Sequence, residues 1–360
     1  MKLKISIITC LIFVFQITIS NGQETIPSLK EKYNKFFPLG VAMGEKHLQR
    51  QDTVLVPYHF SSITAENDMK PSRTIASENK FTFERGDALV DFAKKHGLLV
   101  RGHTLVWYNQ TDDWFYENDE GELLSKNELF KRMKSYIKAV LDHYRGDVYA
   151  WDVVNEAISD ESDLFYREDI KWFQIGGPEY IEMAFRYARE ADPDVKLFYN
   201  DYDLINPKKR DKAYKMLKEL LEKGVPIDGV GMQGHWTLED VNKENLGKAI
   251  DLFSSLGLEV QITELDISVY PYYHNMDRST LPKEIKPYTP ELASKLAEKY
   301  KEVFELLRAK KDKITGVTFW GVADNKTWLS NYVVKGRTDY PLLFDKDYNP
   351  KKAFYSIMDF

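Results

Sequence analysis

Two runs of the chain end in groups that can do chemistry. Trp151-Asp152-Val153-Val154-Asn155-Glu156 is one, and Ile262-Thr263-Glu264-Leu265-Asp266 is the other. Each is a largely apolar, β-branched stretch that meets a glutamate. A carboxylate at the tip of a buried strand is costly unless something pairs or uses it. Two of them on two strands of one fold make a carboxylate pair, the minimum equipment for cleaving a glycosidic bond. Cleavage with retention needs a nucleophile on one face of the sugar and an acid near the leaving oxygen, about 5–5.5 Å apart. The two groups must then titrate differently. Burial and the neighbouring charge keep the acid protonated, while nearby donors keep the nucleophile ionised.

Positioning such a pair requires strands that converge at one end. The sequence offers eight strand candidates: Leu39–Met43, Ser62–Ala65, Leu98–His103, Tyr149–Val154, Lys196–Tyr199, Gly229–Gln233, Glu259–Thr263 and Gly316–Phe319. Several are nearly continuous apolar runs, as strands buried on both faces are. Amphipathic helices separate them. Ser125 and Glu128 form a capping box ahead of Leu129, Met133, Ile137, Val140 and Tyr144, with Gly146 as the stop. Thr289 caps a second helix with Pro290 at its first position. Asp87 to His96 ends at Gly97, and Lys208 to Lys223 ends at Gly224. This alternation predicts an α/β fold, a (β/α)8 TIM barrel in a single domain over residues 23–360. The Tyr270–Thr289 segment reads as a long loop at the active-site mouth.

Barrel chemistry sits at the carboxyl ends of the strands. The unusual polar residues fall there: Glu66, Asn67 and Lys70 after the second strand, His103 and Trp107 at the third, Asn155 and Glu156 at the fourth. Tyr202 follows the fifth, Gln233 and His235 the sixth, Glu264 and Asp266 the seventh, and Trp320 and Trp328 the eighth. One such group would mean little, but seven strands carrying them at the same end mark a site.

Composition narrows the partners. The net charge of −6 argues against nucleic acid or an anionic membrane surface. The 14% aromatic content suits sugar-binding faces but also a large core. Residues 1–22 read as a signal peptide: Lys2 and Lys4 lead a short apolar run, and Ser20-Asn21-Gly22 offers a cleavage site before Gln23. The mature protein is expected to be secreted or periplasmic, free of the membrane and monomeric. The single cysteine, Cys10, lies within the segment removed. Without cysteine or a closely spaced histidine motif, neither a metal nor another cofactor is expected. Asn109-Gln110-Thr111 and Asn325-Lys326-Thr327 match the glycosylation sequon and read as chance matches.

The motifs together resemble glycoside hydrolase family 10, the endo-β-1,4-xylanases. The resemblance rests on Glu66-Asn67-Asp68-Met69-Lys70, Arg101-Gly102-His103-Thr104-Leu105-Val106-Trp107, the two glutamate runs, and Thr318-Phe319-Trp320-Gly321 with Trp328. It extends from about Leu39 to Phe354. It implies a retaining hydrolase of xylan or xylo-oligosaccharides, with Glu156 as acid/base and Glu264 as nucleophile. It further implies that Lys70, His103, Trp107, Asn155, Gln233, His235, Trp320 and Trp328 surround the sugar at the cleavage point, with Glu66 and Asn67 on the next sugar.

Within that frame, Asn155 would hydrogen-bond the 2-hydroxyl of the reacting sugar. Asp266 would hold the His235 imidazole in one tautomer, and His235 and Asn155 would act as donors near Glu264. Trp320 and Trp328, with Gln110 one subsite away, would exclude the hydroxymethyl arm of glucose. One departure is visible: the run Trp107-Tyr108-Asn109-Gln110 carries Tyr108 where family members often have His. Two other readings suit the same residues, a retaining glucan hydrolase on this barrel and a carbohydrate-binding protein without catalysis.

Overall fold

A computed structural model describes residues 26–49, 51–271, 286–332 and 334–360. Eight parallel strands form the barrel: β1 (Leu39–Met43), β2 (Ser62–Ala65), β3 (Leu99–Val106), β4 (Val148–Asn155), β5 (Lys196–Asp201), β6 (Gly229–Met232), β7 (Glu259–Ser268) and β8 (Ile314–Phe319). Each pairs with the next, and β8 returns to β1, closing the sheet. A further short strand, His235–Thr237, adds to the outer end of β7. The helices that follow the strands are α1 (Asp52–His59), α2 (Glu84–His96), α3 (Lys126–His143), α4 (Glu179–Ala191), α5 (Pro207–Glu222), α6 (Lys243–Ser254), α7 (Pro290–Ala309) and α8 (Lys352–Met358). The expected (β/α)8 barrel is therefore the observed fold.

Local signals explain the helix ends. At α3, the Ser125 hydroxyl accepts from Glu128 N while the Glu128 carboxylate accepts from Ser125 N at 2.9 Å. Thr289 caps α7 with Pro290 behind it. Gly97 closes α2 at a φ of 65°, a left-handed conformation that glycine adopts without steric cost. Expected boundaries move, by one residue at α5 and by more at two other helices. Helix α3 stops at His143 and Gly146 lies in the turn beyond it, while α2 begins three residues early, at Glu84.

The strand ends hold the more instructive differences. Strand β3 runs past His103 to Val106, and β7 runs past Glu264 to Ser268. Pairing registers shift between His103 and Val106, between Asp152 and Val154, and between Ile262 and Leu265. An extra residue in one strand bends it and re-aims its side chains. His103, Asn155 and Glu264 thus lie on irregular strand ends that are still tied into the sheet.

The barrel interior below them is polar in part. Arg101, fully buried on β3, forms a two-pronged ion pair with Asp152 on β4, with one prong at 2.6 Å. Its Nε also donates to Gln261 Oε1 on β7 at 3.1 Å. Outside the barrel, Gly102 leaves room for the Trp151 ring, since a Cβ there would sit 2.3 Å from it. The expected signal peptide lies outside the described residues, as do residues 272–285 of the Tyr270–Thr289 loop.

Candidate active site

Glu264 projects from β7 into a cationic setting. Asn200, at the end of β5, donates to its Oε1 at 2.7 Å. His235 Nε2 lies 3.2 Å from Oε2, and His103 Nδ1 lies 4.0 Å from Oε1. Burial pushes the carboxyl up, but His103, His235 and Lys70 outweigh it and hold Glu264 at about 2. The carboxylate therefore stays ionised well below the ordinary glutamate range.

His235 is itself held between two carboxylates, with Nδ1 3.0 Å from Asp266 Oδ1. Burial lowers its value, yet Asp266 and Glu264 draw it up to about 10. Burial raises Asp266, against the pull of His235 and Trp328; with both carboxylates ionised, each ring nitrogen is placed to donate. The raised value favours the doubly protonated ring, with Asp266 orienting it through Nδ1. Asp266 has a second task, accepting from Trp328 Nε1 at 2.8 Å. His103 is oriented in turn by Asp152 Oδ2 at 2.9 Å, which connects the buried Arg101 pair to the mouth.

Glu156 follows the last residue of β4 and is buried, but its setting differs. Trp107 Nε1 and the Tyr108 hydroxyl donate to Oε2 at 3.0 and 3.1 Å. The Asn155 and Gln233 amides donate to Oε1 at 3.2 and 3.0 Å. Glu156 has a φ of 58°. A non-glycine residue there stores strain of about 1–3 kcal/mol, which persists only where the surroundings impose it. Here the backbone N–H is tied to Asn200 O at 2.9 Å.

The two carboxylates are linked by amides. Asn155 and Asn200 are register partners on β4 and β5. Asn200 Nδ2 donates to Asn155 Oδ1 at 2.9 Å as well as to Glu264, and Gln233 Nε2 reaches Asn155 Oδ1 at 3.2 Å. Asn155 was expected beside Glu264; it donates instead to its neighbour Glu156, and Asn200 takes the place beside Glu264. Asn200 lies one residue past the strand expected at Lys196–Tyr199, but its role depends on strand register, which the sequence does not display.

The remaining candidates line the same mouth. Lys70 is buried and donates to Asn67 Oδ1 at 3.0 Å, with its ammonium 4.7 Å from the Trp107 ring centre. Burial lowers its value, against the pull of Glu264, Glu66 and Glu156. Gln110 Nε2 also donates to Asn67 Oδ1, at 3.2 Å, and Glu66 pairs with Lys46 at 3.4 Å. Trp320 packs edge-on to His103, their centroids 5.3 Å apart, and Trp328 lies 4.8 Å from the His235 ring. Tyr202 stands farther back: its hydroxyl donates to Asp160 and accepts from Arg167, and Lys209 sits 3.3 Å over its ring. Among the described residues, no group of three or more His, Cys, Asp or Glu is placed to hold a metal ion.

Two buried carboxyl groups joined by amides at the carboxyl ends of β4 and β7 are the arrangement that a glycoside hydrolase needs. The sequence profile of glycosyl hydrolase family 10 matches residues 28–360, and the chain belongs to that family. It is 49% identical over 341 residues to a beta-1,4-xylanase of Dictyoglomus thermophilum, covering 95% of this chain and 93% of that protein. It is 42% identical over 333 residues to endo-1,4-beta-xylanase B of Paenibacillus barcinonensis, covering 92% and 98%. Among solved structures, an endo-1,4-beta-xylanase from Caldicellulosiruptor owensensis superposes with a TM-score of 0.88 at 45% identity, covering 93% of this chain and all of that one. The Paenibacillus barcinonensis xylanase complexed with a conduramine derivative also gives 0.88, at 42% identity, covering 93% and 99%.

Proposed function

We propose that the protein hydrolyses internal β-1,4-xylosidic bonds of xylan with retention, using Glu264 as nucleophile and Glu156 as acid/base. The observation that carries this reading is the unequal environment of two carboxyl groups in one cleft. Glu264, held ionised by His103, His235 and Lys70, attacks the anomeric carbon. Glu156 gives its proton to the departing glycosidic oxygen, and a covalent glycosyl-enzyme forms. Glu156, now a carboxylate, takes a proton from water, which releases the sugar with its original anomeric configuration. Asn155 spends one amide hydrogen on Glu156 and retains a second for the sugar 2-hydroxyl.

Substrate choice follows from the walls. Trp320 and Trp328 close the space over the reacting sugar, and Gln110, Asn67 and Glu66 extend the cleft toward the next one. Their crowding favours xylose over glucose, which carries an additional hydroxymethyl arm. A proton NMR time course on linear xylo-oligosaccharides tests the reaction. The β-anomer of the new reducing end is expected before mutarotation; the α-anomer appearing first would refute retention. The sequence reading of residues 1–22 supports export, with the mature chain acting as a secreted or periplasmic monomer. Intact mass of exported protein, expected to begin at Gln23, checks the cleavage.

A further inference from the structure

The four partners of Glu156 are not equivalent. Trp107 Nε1 can only donate, and the Asn155 and Gln233 amide nitrogens can only donate as placed. The Tyr108 hydroxyl, 3.1 Å from Oε2, can donate or accept by rotating its hydrogen. A carboxyl that holds a proton in one half of a reaction and lacks it in the other is served by a partner that can reverse direction.

Resting on the double-displacement reading above, we propose that Tyr108 is a positioning residue for Glu156. Its hydroxyl donates to the carboxylate and turns to accept when Oε2 carries the proton, holding the carboxyl in place through both half-reactions. The ring is fixed for this task. It packs edge-on to Trp107, centroids 5.9 Å apart, and the Arg167 guanidinium lies 5.3 Å from its centre. Arg167 is anchored by Asp160 at 2.8 Å and by the Tyr202 hydroxyl. Burial first, and then the charge of Glu156, keep the phenol well above its ordinary value, so it remains a neutral hydroxyl. Among the described residues, the charged or titratable groups near Glu156 include Lys70 beyond β2, Asp201 and Tyr202 at β5, and Glu264, joined to it through Asn200, Asn155 and Gln233, with Arg167 behind the Tyr108 ring.

The test is the pH profile of Tyr108→Phe, which removes the hydroxyl and keeps the ring. Donation to a carboxylate is the charge-assisted and stronger of the two directions. Losing it favours the protonated carboxyl, so the alkaline limb of kcat/KM on xylo-oligosaccharides should move upward by about one pH unit. Deglycosylation-limited kcat on a dinitrophenyl xylobioside should fall about tenfold with KM for xylo-oligosaccharides little changed. A change in packing alone would leave the limb in place. Glu156→Ala with azide is the companion measurement. Azide rescue of that variant together with an unmoved limb in Tyr108→Phe overturns the role of Tyr108 alone. Failure of azide rescue overturns the acid/base reading, and this proposal falls with it.

Discussion

Glu264 and Glu156 face one cleft from two strands, yet their surroundings follow opposite rules. Around Glu264 stand two histidines, one of them held between two carboxylates, a buried lysine and one amide. Around Glu156 the direct partners are neutral: an indole, a phenol and two amides. Fixed positive charge stabilises a permanent anion. Neutral donors orient a carboxyl and hold its charge less strongly than fixed cations do. The difference supports the separate roles proposed for the two residues on electrostatic grounds.

The comparison can be broken from either side. The largest effect is expected from Glu264→Ala, which should lower kcat on every substrate, activated or not, by at least about 10⁴-fold. Glu156→Ala should cost about 10²–10⁴-fold on xylan but spare glycosyl-enzyme formation when the leaving group needs no proton. Azide should then restore turnover and yield the β-glycosyl azide, whereas Glu264→Ala with azide should give the α-product. Identical responses to azide would erase the distinction between the two sites.

Next in size is Asn200→Ala. It removes a donor aimed at Glu264 and should lower kcat by about 10²–10³-fold with KM nearly unchanged. An effect on KM alone would make Asn200 a substrate contact rather than part of the anion's setting.

The smallest effect is on stability. His235 is raised from 6.5 to about 10, so its contribution is complete below pH 6.5 and is lost as pH rises through about 10. Glu264 is lowered from 4.5 to about 2, so its contribution is present above pH 4.5 and is lost as pH falls toward about 2. Denaturant unfolding across pH should show the alkaline loss in the wild type and a shallower one in His235→Gln. A variant curve parallel to the wild type would show that His235 is not charged in the folded protein.

Much of this was legible in the sequence. The glutamates stood out because an ionisable group at the tip of an apolar strand demands a use, and the eight strands were legible because short apolar runs alternate with helical patterns. Three features were not. Asn200 acquires its role from the register that sets it beside Asn155. The extension of β3 and β7 past His103 and Glu264 depends on irregular pairing that has no local signature. The Arg101–Asp152–Gln261 cluster joins three strands across the barrel interior. Asp152 carried a usable signal, since a charge within Trp151-Asp152-Val153-Val154 requires a buried partner. Arg101, two residues before His103 on the adjoining strand, supplies it.

The assignment of Glu264 as the nucleophile is tested most directly by trapping the intermediate. Incubation with a 2-deoxy-2-fluoro-xylobioside carrying a dinitrophenyl leaving group should inactivate the enzyme and add one fluoro-xylobiosyl mass. Peptide mapping should place that mass on Glu264. A label on Glu156 or any other residue, or inactivation without covalent addition, would contradict the account.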